Sequence, residues 1–328
     1  MSGAPPTLES AGQLDLFKAK YDDAPLRSDI FSLEHPFFVL SKQRFQKVRV
    51  YEYEYKDKNK QSVRIEVIPL VNIGAPTQWD KDVLIYAQAQ LTEGIKLGQA
   101  PSRTLKFNAH AFLTFTRRGV TGRDYNRLKA ALTRLRGTTI RTSIKTGGKE
   151  SIEAFGFIEQ FKWQSSSGTE CAHIEITLSE WLYRAVLQHQ VLALNKRYFE
   201  LGGALTRRLY EIVRKHCGTQ RKWAIGFELL QRKIGSQNSA KNFKHELKVL
   251  VDGLRQNGRH IDRTANLSRA SSPCGQHGVL LDYIIWLPPR QEVLVAYFGD
   301  LGRDAFANDL KRTRVKFLSE KSDAEDGL

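Results

Sequence analysis

The sequence predicts an α+β protein of two tandem winged helix-turn-helix domains with mobile N- and C-terminal tails. Its 328 residues suffice for two domains of ordinary size, each able to bury its own core. An order of helix, tight turn, helix and hairpin occurs twice along the chain, an internal repetition that a single domain does not explain. Positive charge is also concentrated rather than spread, since residues 103–149 hold many bases and few acids while both tails carry acids. The expected division is a tail over residues 1–28, a first domain over 29–178, a second over 179–310 and a tail over 311–328.

Residues 1–28, rich in Pro, Gly, Ala, Ser and Asp and without periodicity, read as a tail, with order beginning near Ile30. Alternating segments at residues 48–55 and 62–68 read as a hairpin. A helix starts near Asp80, with Leu84, Ala87, Leu91 and Ile95 on one stripe. Asn108 then caps a short helix, residues 119–122 (Gly-Val-Thr-Gly) make a tight turn, and a second helix runs to about Arg136. Thr121 and Asp124 resemble a capping box with Asp in place of Glu or Gln. On the second helix Tyr125, Leu128, Leu132 and Leu135 form one face, and Arg123, Arg127 and Arg134 form another. A strand at 138–145, a turn at Gly147-Gly148, a strand at 151–163 and a further strand at 173–178 complete the first domain.

Helices at 179–189 and 203–216 and a short strand at 223–225 open the second domain. A short helix at 227–234, a turn at 235–238 and a long helix at 239–256 repeat the earlier order. The long helix buries Phe243, Leu247, Leu250, Val251 and Leu254 and turns Lys241, Lys244, His245 and Lys248 outward. Strands at 259–264 and 279–287 flank a Ser/Pro/Gly-rich loop, the second wing.

The 51 Lys and Arg against 35 Asp and Glu leave a charge of +16, a field that favours polyanions. No run of about 18 apolar residues spans a membrane and no signal peptide opens the chain, so a cytoplasmic protein is expected. Cys171, Cys217 and Cys274 imply no disulfide framework. A zinc site from His216, Cys217, Cys274 and His277 lacks the tight two-cysteine knuckle, so no metal is expected. Without a Gly-rich phosphate loop, a nucleotide-driven motor is excluded. No two histidines are split by one apolar residue, Tyr125, Tyr198 and Tyr210 read as packing residues, and Asp80 and Asp82 as first-turn helix residues. No catalytic residue and no cofactor is expected.

A recognition helix puts side chains against base edges while lysines and arginines nearby grip phosphates. The DNA-binding candidates are therefore Arg123, Asn126, Arg127 and Arg134 in the first domain. In the second they are Lys241, Asn242, Lys244, His245 and Lys248. The same domains would also suit a transcriptional repressor or a partition-site protein.

Three segments carry a resemblance. They are Trp79-Asp80-Lys81-Asp82-Val83-Leu84-Ile85-Tyr86-Ala87, then residues 122–128 (Gly-Arg-Asp-Tyr-Asn-Arg-Leu) continuing into 131–135, and residues 207–218 from Arg207-Arg208-Leu209-Tyr210-Glu211 to Cys217-Gly218. With Ile234-Gly235-Ser236 and Phe243-Lys244, they resemble the plasmid replication initiator protein A family, related more distantly to theta-type initiators with paired winged helices. The resemblance covers residues 31–287. It implies binding to repeated origin sites (iterons) in double-stranded DNA, opening of a neighbouring AT-rich segment, and recruitment of the host replication initiator and replicative helicase. It further implies a monomer on origin repeats and a repressing homodimer, with the first domain serving dimer and phosphate contacts and the second reading sequence. Gln13-Leu14-Asp15-Leu16-Phe17 is similar to the short peptide by which bacterial replication proteins dock on the DNA polymerase sliding clamp.

Overall fold

Pairing of the first strand among the described residues with one that follows 164 residues later, Ser28 opposite Leu192, ties the two ends of the first folded unit together. The computed structural model describes residues 21–40, 50–56, 62–142, 153–165, 172–257 and 275–325, with nine α-helices and thirteen strands among them. They form two compact units, one through Ala204 and one from Leu205. The clamp-like residues 13–17, the turn Gly147-Gly148, Cys171, Cys274 and the strand expected over 259–264 lie outside the described residues.

In the first unit, β1 (Arg27–Asp29) pairs antiparallel with β9 (Val191–Ala193), with Ser28 opposite Leu192. Order therefore begins before Ile30, and residues 27 and 28 are strand rather than tail. The Asp29 N–H donates to Gln88 Oε1 at 2.8 Å, and Gln88 Nε2 donates to Asp29 Oδ2 at 3.1 Å, so the ribbon is tied to the central helix. α5 (Glu180–Leu187) buries Leu182 and Val186 in the same core. These contacts carry the unit past the boundary expected at residue 178.

The centre is α2 (Lys81–Lys96), whose residues from Lys81 to Leu91 are all buried. The Tyr86 ring meets Phe107, Phe112 and Phe115 edge-on with centroids 5.0–5.4 Å apart, a geometry that adds about 0.5–1.5 kcal/mol per pair beyond buried area. Around it lie a four-stranded sheet, β2-β3-β5-β6, and a three-stranded sheet, β4-β8-β7. The expected hairpin is β2 (Tyr51–Lys56) with β3 (Ser62–Ile68), and β5 (Thr139–Thr142) joins its second strand. The single strand expected over 151–163 is instead two. β6 (Glu153–Phe155) pairs with β5, whereas β7 (Ile158–Ser165) pairs with β8 (Ala172–Leu178) in the other sheet, beyond which lies β4 (Thr104–Asn108). The reason is Phe157, which is fully buried and stacks on Phe38 at 4.8 Å, drawing the chain inward between the two strands.

The second unit begins with α6 (Ala204–His216), β10 (Lys222–Gly226), α7 (Phe227–Ile234) and α8 (Ala240–Asn257). β11 (Gln276–Leu280), β12 (Tyr283–Leu287), β13 (Val293–Phe298) and α9 (Gly299–Glu325) follow. The apolar strand expected over 279–287 is a hairpin, reversing at Leu281, whose φ of 54° is left-handed. The tail expected from residue 311 is helix to Glu325. The sheet order is β10-β13-β12-β11. Alternation gives it two apolar faces. Ile284, Trp286, Val295 and Tyr297 pack on Ala305, Phe306 and Leu310 of α9. On the other face the Tyr283 ring lies 6.1 Å from Tyr210 of α6, and Gln276 Nε2 donates to Asp252 Oδ2 of α8 at 2.7 Å. α6 and α8 thus cover one face and α9 the other. Among the described residues no helix is long and apolar enough to cross a membrane.

Candidate nucleic-acid interface

In the first unit the Asn108 side chain accepts from His110 N at 2.7 Å, starting α3 (Ala109–Phe115). The turn is compact because Gly119 lies against Asp124, where a Cβ would meet Oδ2 at 2.6 Å. Asp124 accepts from Thr121 N at 3.2 Å and from Thr121 Oγ1 at 2.6 Å, starting α4 (Gly122–Gly137). The Thr121 hydroxyl, with the Arg127 guanidinium beside it, holds the Asp124 carboxyl below its ordinary range.

Two carboxylates at the start of α2 fix this helix-turn-helix. Asp82, fully buried, accepts from Arg118 in the turn at 2.6 Å, and Arg118 also donates to Trp79 O. Asp80 receives Arg134 as a fork, Nε to Oδ2 at 2.7 Å and Nη2 to Oδ1 at 2.8 Å. Arg134, 11% exposed, is therefore a positioning residue that locks α4 to α2 rather than part of the outward basic face. That face holds Arg123, Asn126 and Arg127, all exposed. Arg127 shares its charge with Asp124 at 3.1 Å, while Arg123 has no ion pair among the described residues. Lys129 lies 4.8 Å over the Trp163 ring.

The second unit fixes its helix-turn-helix differently. Arg208 of α6, 1% exposed, reaches the end of α7, donating to Lys233 O at 2.8 Å from Nη2, and pairs with the fully buried Glu211 at 3.1 Å. Gly235, at φ 78°, closes α7 and donates to Gln231 O at 3.0 Å. Gln231 Nε2 donates to Asn238 O, and Ser239 Oγ accepts from Asn242 N at 3.3 Å to start α8. Phe243, Leu247 and Val251 are buried as expected. Lys241, Asn242, His245 and Lys248 are exposed. Lys241 and Lys248 have no ion pair among the described residues, whereas Lys244 is half-buried against Glu292. The structure thus brings four of the five candidates to one exposed face and turns Lys244 toward the exposed carboxylate of Glu292.

Sequence reasoning placed Asp80 and Asp82 in a first turn but gave them no role. Their alternation in Trp79-Asp80-Lys81-Asp82, ahead of two downstream arginines, is the signal available for the clamp they make. Unpaired cations on a helix held this firmly can replace counterions along a phosphate backbone, and an exposed asparagine can address adenine through two hydrogen bonds. Tyr198 and Tyr210 are fully buried packing residues. Burial pushes the Cys217 thiol up to about 11, away from reactivity. Among the described residues no three His, Cys, Asp or Glu side chains gather to hold a metal ion.

The family model described as "Replication initiator protein A" matches residues 27–255, which include both helix-turn-helix pairs. The chain belongs to this family. A member's likeness extends to a protein of Wigglesworthia glossinidia brevipalpis named "Putative replication protein", 36% identical over 229 residues, 69% of this chain and 80% of that one. Among solved structures, domains 2 and 3 of RctB (selenomethionine derivatives) match with a TM-score of 0.58 at 12% identity. That match covers 83% of this chain and 99% of the other. A second structure of the RctB domains 2-3 gives a TM-score of 0.51 at 11% identity over 79% and 95%. At these identities the fold alone is shared. The initiator A family match ends at residue 255, before β11.

Proposed function

We propose that this initiator A family protein binds repeated sites in double-stranded plasmid origin DNA, promotes local opening and recruits host replication proteins, without catalysis of its own. The observation that carries this reading is that each unit fixes its helix-turn-helix through a buried ion pair, to α4 in the first and at the end of α7 in the second, and leaves unpaired cations on the outer face of the second helix. Each pair with its following strands is read as a winged helix-turn-helix. In the second unit Lys241 and Lys248 grip phosphates, and Asn242 and His245 face base edges. In the first unit Arg123, Asn126 and Arg127 contact DNA, alongside the surface used by a repressing homodimer; the monomer occupies the origin repeats. Work in the cytoplasm with the host initiator and replicative helicase follows from the same reading. Residues 13–17 (Gln-Leu-Asp-Leu-Phe) dock on the sliding clamp, and their deletion abolishes clamp pull-down with origin affinity intact.

The test is a footprint of the purified protein on its own plasmid's origin, repeated with permanganate to report unpaired thymines, with host initiator added. Regularly spaced protection beside reactive thymines is the expected result. Protection confined to a promoter, with no opening, replaces the initiator reading with that of a repressor.

A further inference from the structure

A charge run on a helix is ordinarily a solvated face neutralised by acids three or four residues away. The distal part of α9 departs from that. Its root is anchored, with Ala305, Phe306 and Leu310 packed under the sheet. Asp309 there accepts from Lys222 at 2.7 Å and from the Tyr297 hydroxyl at 2.8 Å. Beyond Leu310, Lys311, Arg312, Arg314 and Lys316 are exposed, and Val315 among them is 66% exposed. The residues four away from Lys311 are Ala307 and Val315, and those four away from Arg314 are Leu310 and Leu318. Arg312 has Asp309 three residues before it, but that carboxylate is already shared by Lys222 and Tyr297.

We infer that Lys311, Arg312 and Arg314 on α9 form a second, sequence-independent grip on duplex DNA phosphates. Three cations within four helical residues lie along roughly 6 Å of axis, a density comparable to the one phosphate per about 3.4 Å of each DNA strand. Long, exposed lysine and arginine side chains on a helix suit phosphate contact, and the exposed amide of Asn308 lies one turn before them. α9 covers the face of the sheet opposite α8, so the stretch of backbone it meets is not the one seated on α8. The segment also lies beyond the family match, which makes it an addition to the shared helix-turn-helix pairs. This inference rests on the DNA-binding reading above.

The experiment uses the full chain and its Lys311→Gln/Arg312→Gln/Arg314→Gln variant, glutamine being a good helix former. Affinity for a random-sequence duplex of about 30 base pairs is followed by anisotropy across a salt series, with circular dichroism to confirm folding. The expected result is a slope of log affinity against log salt shallower by about 2–3, at about 0.9 per phosphate contact. An Arg312→Lys/Arg314→Lys variant keeps the parent slope, and the loss adds to that of Lys241→Ala/Lys248→Ala because the two surfaces are separate. If the triple variant fails to fold, Lys311→Gln and Arg314→Gln each lower the slope by about 0.9. A slope equal to the parent's overturns the inference and leaves the ridge to an acidic protein partner. Absence of duplex binding by the parent overturns the DNA-binding reading itself, and this inference with it.

Discussion

The two helix-turn-helix pairs present the same outline and are held in different ways. In the first unit the fixing charges come from another helix, Asp80 and Asp82 of α2, and capture arginines of the turn and of α4. In the second they sit on α6, where Arg208 and Glu211 neutralise each other and the guanidinium is left to hold the end of α7. In the first unit two arginines near the turn are consumed by this scaffold, and Arg127 is shared with Asp124. In the second the lysines of α8 are left almost untouched. A positive charge counted in the sequence is therefore worth different things in the two units: an internal fastening in one, an open phosphate contact in the other.

The sharpest way to break the comparison is to remove one member of a buried pair. Asp82→Ala leaves Arg118 in a largely buried site without its carboxylate, and the first unit should lose about 3–5 kcal/mol in denaturant unfolding. Arg208→Ala should cost the second unit a similar amount, about 3–5 kcal/mol, because buried Glu211 loses its 3.1 Å ion pair and Lys233 O loses its donor. Proteolysis of each variant separates the units: cleavage appears first in the damaged one, and equal sensitivity of both would mean the fastenings are not local. Lys241→Ala/Lys248→Ala should change stability by no more than about 0.5 kcal/mol while making the salt dependence of DNA binding shallower by about 1.8. An Arg134→Gln variant sharpens the contrast. It should lower the melting temperature and leave that salt slope unchanged. Among the substitutions aimed at the fastenings, the smallest effect on stability is expected at Thr121→Ala, about 1 kcal/mol from the α4 cap. Because the Asp124 carboxyl is held below its ordinary range, its contribution is complete at neutral pH and is lost as pH falls through its lowered value. The difference between parent and Thr121→Ala in an acid titration should therefore shrink at low pH.

Helices with continuous 3.6-residue stripes were legible in the sequence: α2 begins where expected, and α3, α4, α6, α7 and α8 begin and end close to the expected bounds. α9 was not, because only Ala305, Phe306 and Leu310 pack on the sheet, while Leu301 and Val315 are exposed and the charged residues between them give no continuous apolar stripe. β1 is three residues long and takes its order from a partner 164 residues away, Leu192 opposite Ser28, which no local pattern announces. Burial of Phe157 divides what alternation reads as one strand. At the interface, helical spacing set Lys241, Lys244, His245 and Lys248 on an outer face, of which Lys241, His245 and Lys248 are exposed and Lys244 is half-buried against Glu292. The same spacing could not tell Arg123, which is exposed, from Arg134, whose carboxylate partner lies 54 residues earlier.

The β1 to β9 ribbon also bears on the order in which the protein comes into being. The edge that receives Arg27–Asp29 does not exist until Val191–Ala193 has been synthesised. A nascent chain must therefore carry its N-terminal strand unpaired through the synthesis of two sheets and five helices, a long wait for a short segment. Once Ala193 clears the ribosome the ribbon can close, and the first unit is complete when Tyr198 and Phe199 follow, with the second still to be made. A chain stopped just short of that point exposes Leu26 and the flank of α2 around Gln88, and would be the species that chaperones and proteases meet.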